Sequence, residues 1–269
     1  MNAAGSILAP DEGTPFAIEQ ADASGPFVII CEHASRTLPR AVGDLGLSAD
    51  ALQSHIAWDP GALAVAKLLS ARFDSPLIFQ RFSRLVYDCN RPPEAPGAMP
   101  ETSEIYRIPG NEKLSQAERD ARTNALYIPF HKAISDIIDG RAARGLPTSI
   151  MTMHSFTPVY FGKAREVEIG ILHDDDTRLA DAMLAAAGPR APYAVRRNEP
   201  YGPADGVTHS LQLHGISRGL ANVMIEIRND LIKDNAGQEV VARYMSELIA
   251  TAVGEAPTAR KTSVNARDT

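Results

Sequence analysis

Cysteine is scarce in this chain, which has only Cys31 and Cys89 among its 269 residues. Neither cysteine belongs to a C-x-x-C pair, and this excludes a structural zinc site built from thiolates. A chain of this length can bury a sizeable hydrophobic core without a covalent cross-link. We therefore interpret both cysteines as buried thiols in a reducing compartment rather than as a disulfide.

Long apolar runs are also missing. No run reaches the roughly 18 residues that a membrane-spanning helix needs. The segment 1–20 has neither a basic start nor the sustained apolar stretch that a secretory signal requires. The sequence therefore predicts a cytoplasmic protein without a membrane partner.

Basic residues are outnumbered and scattered. The chain has 27 Lys and Arg against 33 Asp and Glu, a net charge of -6. Binding to a phosphate backbone needs a concentrated positive surface, which these residues do not form. We expect no nucleic-acid partner, and the composition, 44% hydrophobic and 22% charged, is that of an ordinary globular protein. It carries no signal of an oligomeric state.

Short apolar runs alternate with amphipathic segments along the chain. The runs predict strands at 27–31, 77–79, 85–87, 149–153, 167–172 and 220–227. Helical spacing predicts a helix of about four turns from Pro60, another from the capping box Ser115/Glu118 to Gly140 with a kink at Pro129, and two more at 178–187 and 238–252. This alternation predicts an α/β fold, with a mainly parallel or mixed central sheet and helices on both faces.

The chain contains no internal repeat and no Ser/Gly linker that would divide it. We therefore expect a single domain over residues 25–254, preceded by an N-terminal extension over residues 1–24. Residues 255–269 are rich in Ala, Thr, Lys and Arg, and we expect them to form a disordered tail.

Polar residues follow several of the predicted strands at the point where each strand ends. Glu32 and His33 follow the first strand, His154 follows the strand at 149–153, and Asp88 follows the run at 85–87. The carboxyl ends of parallel strands meet at one edge of a sheet, which is where ligands bind in such folds. The sequence therefore predicts a polar site at this edge.

Two histidines and a carboxylate at one edge suit a catalytic zinc ion, which takes three protein ligands and leaves one position for water. His33 and His154 are the candidate imidazoles. Glu32 is a possible third ligand, but consecutive strand residues point to opposite faces. We prefer Asp59, which precedes the predicted helix at Pro60 and also occupies a possible N-cap position.

Glu226 lies inside an apolar strand, Val-Met-Ile-Glu-Ile. Transfer of an unpaired polar group from water to an apolar environment costs roughly 2–7 kcal/mol, and transfer of a charge costs more. A carboxylate buried in such a strand therefore needs a partner or a function. We therefore interpret Glu226 as a functional residue.

Six motifs together resemble the N-formylglutamate amidohydrolase family over roughly residues 27–250. In chain order they are Val-Ile-Ile-Cys-Glu-His-Ala-Ser (28–35), His-Ile-Ala-Trp-Asp-Pro-Gly-Ala (55–62), Ser-Arg-Leu-Val-Tyr-Asp-Cys-Asn-Arg-Pro (83–92), Met-His-Ser-Phe-Thr-Pro (153–158), Asn-Glu-Pro-Tyr (198–201) and Met-Ile-Glu-Ile-Arg-Asn-Asp-Leu-Ile (224–232). The resemblance implies a zinc-peptidase-like fold, shared with carboxypeptidases and the aspartoacylase group, and a catalytic role for the domain at 25–254.

The resemblance also implies roles for individual residues. His33, Asp59 and His154 match the ligands of one Zn²⁺ ion, and Glu226 matches the general base. At two points the chain departs from the pattern: Arg36 stands where zinc carboxypeptidases have a carboxylate ligand, and Glu-His-Ala-Ser at 32–35 replaces the Pro-His-Ser-Gly of deformylases.

The remaining roles concern the substrate. Arg84 is expected to stabilise the oxyanion. Asn90, Arg91 and Arg228 are the expected anchors for substrate carboxylates, and Tyr201 would close over the substrate. The implied substrate is a small acidic N-acyl amino acid, N-formyl-L-glutamate, cleaved to formate and glutamate as in histidine degradation.

Two alternatives remain open at this point. The same site could hydrolyse another N-acyl amino acid or act like a carboxypeptidase. The histidines and glutamate could also be vestigial, in a non-catalytic anion-binding protein.

Overall fold

A computed structural model describes residues 6–254, and the tail predicted at 255–269 lies outside the described residues. Eleven strands are present in this range: β1 (Phe16–Glu19), β2 (Phe27–Cys31), β3 (Leu77–Gln80), β4 (Thr102–Ser103), β5 (Tyr106–Arg107), β6 (Ser149–Phe156), β7 (Val159–Tyr160), β8 (Lys163–Ala164), β9 (Ile169–Leu172), β10 (Val195–Arg197) and β11 (Asn222–Arg228). The α-helices of the same range are α1 (Ala49–Gln53), α2 (Ala62–Phe73), α3 (Gln116–Arg122), α4 (Ile128–Ala143), α5 (Arg178–Ala187) and α6 (Asn235–Val253).

The central sheet has seven strands in the order β1-β3-β2-β6-β11-β9-β10. Strands β3, β2, β6 and β11 are parallel to one another. Strand β1 is antiparallel to β3, and β9 is antiparallel to β11 with β10 parallel to β9. The predicted mixed sheet is therefore confirmed, and residues 16–19 of the N-terminal segment form one of its two edge strands.

Helices cover both faces of this sheet. Phe27, Ile29 and Cys31 of β2 face a core layer that includes α2, α5 and α6. Val28 and Ile30 face the opposite layer, which includes α4. Because both faces are covered, β2 is apolar throughout instead of alternating, as its sequence indicated.

The strand predicted at 85–87 is wrong. Leu85, Val86 and Tyr87 are buried in the core, but their backbone turns. Ser83 organises the turn: its carbonyl accepts from Val86 N at 3.0 Å and its Oγ accepts from Leu85 N at 3.1 Å. Apolar residues in a buried turn give the same pattern as a short strand, so Asp88 comes to the site from a turn.

The helix predicted from Pro60 begins two residues later. Its N-cap is Gly61, at φ 81°, and α2 starts at Ala62. Asp59 is therefore not the N-cap, although its carbonyl accepts from Ala62 N at 3.2 Å. This late start leaves the Asp59 carboxylate free to point away from the helix.

The capping box and the long helix after it are confirmed, with one irregularity. Ser115 Oγ accepts from Glu118 N at 3.3 Å, and Glu118 accepts in return from Ser115 N at 2.8 Å. A π-helical turn, Thr123–Tyr127, separates α3 from α4 just before Pro129. The proline ring cannot donate a backbone hydrogen bond, and such positions commonly carry irregular turns. Within residues 6–254, no helix is long and apolar enough to cross a bilayer.

The start of α2 generates a testable prediction. Gly61→Ala should lower the free energy of unfolding by at least about 2 kcal/mol, because a left-handed backbone costs a non-glycine residue about 1–3 kcal/mol. The new Cβ would also collide with the carbonyl oxygen of Ile232. Denaturant unfolding followed by circular dichroism measures the difference.

Gly140→Ala is the matched control. Gly140 lies inside α4, and a Cβ there meets no atom within 4 Å. The substitution should leave stability unchanged or raise it by about 0.5–1 kcal/mol. Equal effects at the two glycines would show that the backbone at Gly61 does not need glycine.

Candidate metal centre

Three buried side chains converge where β2 and β6 end. His33 follows β2, Asp59 precedes α2, and His154 lies on β6. Asp59 Oδ2 is 3.3 Å from His33 Nδ1 and 3.0 Å from His154 Nδ1, and the two Nδ1 atoms are 3.2 Å apart. Zinc bonds of about 2.0–2.2 Å at tetrahedral angles separate donor atoms by about 3.4 Å. The donor set therefore fits a metal ion.

The outer nitrogen of each imidazole faces a carboxylate. His33 Nε2 is 2.7 Å from Asp88 Oδ1, and His154 Nε2 is 3.2 Å from Glu32 Oε2. Histidines that bind metals usually donate their other N–H to such a group, which fixes the ring and turns the free nitrogen toward the ion. Glu32 therefore lies behind His154, and Asp59 is the carboxylate that shares the space between the two Nδ1 atoms.

These groups leave an excess of buried negative charge. Burial alone would raise the pKa of Asp59 and of Asp88, but His33 and Arg84 outweigh it and hold both pKa values well below the usual range. At Glu32, the effect of His154 likewise outweighs that of burial and lowers the pKa to about 2.

One guanidinium offsets part of this charge. Arg84 Nη2 is 2.8 Å from Asp88 Oδ2, and Arg84 Nη1 is 3.4 Å from Asp59 Oδ1. With Glu32, which faces His154, the centre holds three carboxylates and one guanidinium, so two negative charges remain when both imidazoles are neutral. A divalent cation balances this excess.

The imidazoles respond to the same field. Burial and Arg84 oppose protonation of His33, but Asp88 and Asp59 outweigh them and raise its pKa. At His154 burial is outweighed by Glu32 and Asp59, and its pKa lies well above the usual value. The centre therefore favours positive charge.

Glu226 is a further buried carboxyl group that lines the same site. It lies on β11 directly opposite His154 in the β6–β11 register. Its side chain is buried, and its Oε2 atom has no hydrogen-bond partner among the described residues. Burial, together with the charge of Asp59, raises the pKa of Glu226 to about 7. A carboxyl group in this state can both take up and release a proton near neutral pH.

A cavity of about 490 Å³ opens onto the centre. His33, Asp59, His154 and Glu226 all line it. Four of the residues predicted to act on the substrate also line it: Arg84, Asn90, Arg91 and Tyr201. The exception is Arg228. The structure thus brings residues from six separate regions of the chain to one cavity.

Asn90 and Arg91 also hold the segment that follows Tyr201. Asn90 Nδ2 donates to Val207 O at 2.5 Å, and Asn90 Oδ1 accepts from Ser210 N at 3.0 Å. Arg91 Nη1 donates to the carbonyl oxygen of Gly206. The amide of Asn90 is therefore occupied by backbone groups, whereas the guanidinium of Arg91 keeps further N–H donors.

Arg228 is the exception, and its predicted anchoring role does not fit the structure. Among the described residues that line the cavity, Arg228 is absent. Its Nε is 2.8 Å from Asp230 Oδ1 and its Nη2 is 3.3 Å from Glu168 Oε1. Two carboxylates outside the cavity thus hold this guanidinium and divert it from the site.

Sequence reasoning missed several residues that line the cavity, among them Arg165, His55 and Glu104. Arg165 lies beside Tyr201, and its Nη2 donates to the Tyr201 hydroxyl at 3.0 Å. His55 Nε2 and Glu104 Oε2 form a pair at 3.0 Å on the cavity wall. Glu104 lies in the turn between β4 and β5, Arg165 follows β8, and no motif marked either residue. His55 begins one of the six motifs and could have been found from the sequence.

Two solved structures are similar in fold to this chain. The structure of gene product Atu2144 from Agrobacterium tumefaciens matches with a TM-score of 0.91 at 59% sequence identity, over 92% of this chain and 98% of that chain. The N-formylglutamate amidohydrolase from Ralstonia eutropha JMP134 matches with a TM-score of 0.59 at 20% identity, over 90% of this chain and 96% of that chain, which shows a shared fold. A comparison with curated proteins gave no significant match.

The sequence profile described as N-formylglutamate amidohydrolase matches residues 25–233, which is most of the chain. The motifs that carried the resemblance lie within this range, and the residues at 33, 59, 154 and 226 meet at one cavity. The chain therefore belongs to the N-formylglutamate amidohydrolase family.

Proposed function

We propose that the protein is a zinc-dependent amidohydrolase of N-acyl amino acids, with N-formyl-L-glutamate as the substrate that family and site support best. One observation carries the proposal: His33 and His154 turn their Nδ1 atoms toward Asp59, while a carboxylate faces each Nε2 atom. A buried carboxyl group without a partner, Glu226, lies beside this triad.

His33, Asp59 and His154 would hold the ion. When bound there, zinc supplies Lewis-acid activation of water and of the scissile carbonyl. The carboxylates of Asp88 and Glu32 keep the two imidazoles oriented. The charge excess of the centre supports a divalent ion over a monovalent one.

Glu226 acts as the general base and then as the general acid. Its carboxylate takes the proton of the attacking water and passes it to the nitrogen of the departing amino acid. A group whose pKa is near the working pH serves both steps, and such catalysis typically contributes about 10²–10⁴-fold to the rate. The unpartnered Oε2 atom is the one available for this transfer.

Arg84 stabilises the negative charge that develops on the carbonyl oxygen. Its guanidinium lines the cavity and is fixed on one side by Asp59 and Asp88. The remaining N–H groups are donors that need no reorganisation when the oxyanion forms. Arg91, with Tyr201 on the cavity wall, supports an acidic substrate in a protein whose net charge is -6.

The first prediction tests the reaction with a substrate panel. The zinc-loaded protein should release formate and glutamate from N-formyl-L-glutamate faster than it cleaves N-formyl-L-glutamine, N-acetyl-L-glutamate, N-succinyl-L-glutamate or a glutamyl dipeptide. A chelator should abolish turnover and added zinc should restore it. Enzymatic assays of formate and of the free amino acid measure both products.

Each other outcome of the panel has a distinct meaning. If another N-acyl group or the dipeptide is cleaved faster, N-formyl-L-glutamate is not the preferred substrate, but the protein is still an amidohydrolase. A protein that purifies without metal and cleaves nothing would support a vestigial site. Full activity in the presence of the chelator would remove the metal from the proposal.

Glu226→Gln should retain zinc and lose at least about 10²-fold in kcat, because glutamine keeps the size of the side chain but cannot take a proton. Metal analysis of the purified variant and steady-state kinetics give the two readouts. Turnover equal to that of the wild type would remove Glu226 from the base role.

Two histidine variants provide the comparison for the metal. His154→Ala should purify without zinc, because it removes one of three ligands. His173→Ala should keep zinc, since His173 is bonded to the backbone of Asp174 outside the centre. Equal zinc content in the two variants would contradict the ligand assignment.

Glu32→Gln tests the carboxylate behind His154. The amide loses the negative charge that faces His154 Nε2, so zinc affinity should fall about 10–100-fold, the usual effect of losing such a partner. Competition with a fluorescent chelator measures the affinity, and thermal unfolding checks that the fold is retained. Glu168→Gln, outside the cavity, is the control. Unchanged affinity in Glu32→Gln would show that Glu32 does not support the ligand.

A further inference from the structure

The guanidinium of Arg165 is held in a cage of three aromatic rings. Its Cζ atom is 4.4 Å from the ring centroid of Tyr160, 4.9 Å from that of Tyr201 and 5.5 Å from that of Phe156. Arginine stacks on aromatic faces in this way because its planar group is weakly hydrated. The cage fixes the plane of the guanidinium and removes much of its water.

Arg165 makes no ion pair with any carboxylate of residues 6–254. Its hydrogen bonds go to neutral oxygens, the Tyr201 hydroxyl at 3.0 Å and the carbonyl of Thr157 at 3.4 Å. Arg84, on the same cavity, is paired with Asp59 and Asp88. Since a guanidinium has five N–H donors, Arg165 retains several that no described residue accepts.

The cage lies close to the metal centre. Phe156 is two residues beyond His154 on β6, so both side chains are on the same face of the sheet, about 7 Å apart along the strand. Both residues line the cavity, as do Arg165 and Tyr201. A group bound to Arg165 is therefore within reach of a small molecule whose amide is at His154.

We infer that Arg165 binds the free α-carboxylate of the amino-acid half of the substrate. This inference rests on the proposed function and adds the chemical group that the cavity selects. A rigid guanidinium with unused donors matches the two oxygens of a carboxylate, and the low water content of an aromatic cage strengthens the pair. The Tyr201 hydroxyl accepts from Arg165, so its own proton is free for a second bond to the carboxylate.

Arg91 then remains for a second acidic group. Like Arg165, it lines the cavity and forms no ion pair within residues 6–254, and its bonds go to backbone carbonyls. Two unpaired guanidiniums on one cavity suit a substrate with two carboxylates. The α-carboxylate is common to all N-acyl amino acids, whereas the side-chain carboxylate distinguishes the acidic ones.

The test compares Arg165→Gln and Arg165→Lys with the wild type on three substrates: N-formyl-L-glutamate, its α-amide, and N-formyl-L-glutamine, which lacks only the side-chain carboxylate. In Arg165→Gln, KM for N-formyl-L-glutamate should rise at least tenfold with kcat changed less than threefold. The preference for the free acid over the α-amide should disappear, while the preference over N-formyl-L-glutamine should remain. Arg165→Lys keeps the positive charge but lacks the paired N–H donors of the guanidinium, so it should show an intermediate KM.

A binding measurement does not depend on turnover. Calorimetry with glutarate as the probe should detect binding to the zinc-loaded wild type and at least tenfold weaker binding to Arg165→Gln. Arg243→Gln removes the same charge from an exposed position on α6 and should behave as the wild type in both assays.

The outcomes separate the two levels of inference. If the wild type cleaves N-acyl amino acids and Arg165→Gln keeps its preference for the free α-acid, the role of Arg165 is overturned and the proposed function stands. If the wild type cleaves none of them, the proposed function fails, and glutarate binding that is weakened in Arg165→Gln still supports the carboxylate site. Should Arg165→Gln fail to fold, Arg165→Lys carries the same comparison.

Discussion

The excess of buried negative charge around two imidazoles is the constraint on which the rest of the site depends. Asp59, Asp88 and Glu32 are all buried, and each of them contacts His33 or His154. Carboxylates at this depth are costly unless cations pair with them, and removal of one partner from such a group leaves an uncompensated charge. The arrangement is therefore stable only as a whole, with a divalent ion or protons supplying the missing charge. This explains why so many ionisable side chains share one small volume.

The fold assembles this volume from regions that are distant in sequence. Strands β2 and β6 are adjacent and parallel, so His33 and His154 emerge at the same edge. Strand β11 pairs with β6 so that Glu226 lies opposite His154. The third donor depends on a glycine: because Gly61 caps α2, Asp59 can direct its carboxylate to the two imidazoles instead of to the helix. The sheet thus positions His33, His154 and Glu226, and the left-handed conformation of Gly61 allows Asp59 to join them.

Sequence reasoning found the parts of this arrangement that local pattern determines. Apolar runs located the central strands, and the residues that follow those runs included His33 and His154, although β6 continues past His154 to Phe156. The pattern could not distinguish the buried turn at 85–87 from a strand, since both bury consecutive apolar side chains. It could not foresee that Asp230 and Glu168 hold Arg228, or that Arg165 lies among three rings. Those contacts join a hairpin, a strand and a loop, and nothing in the local sequence records them.

The sheet edge and the connecting segments contribute different residues to the cavity. The residues to which we assign activation of the amide come from the sheet edge and from turns buried against it. Other residues that line the cavity come from connecting segments: Arg165 follows the β7–β8 hairpin, Glu104 lies between β4 and β5, and Tyr201 lies in the segment after β10. Loops change more readily than a buried charge network, because a change in the network leaves a charge without its partner. A relative can therefore share the fold and the centre while its cavity accepts a different substrate, because residues in these connections can change without disturbing the charge network.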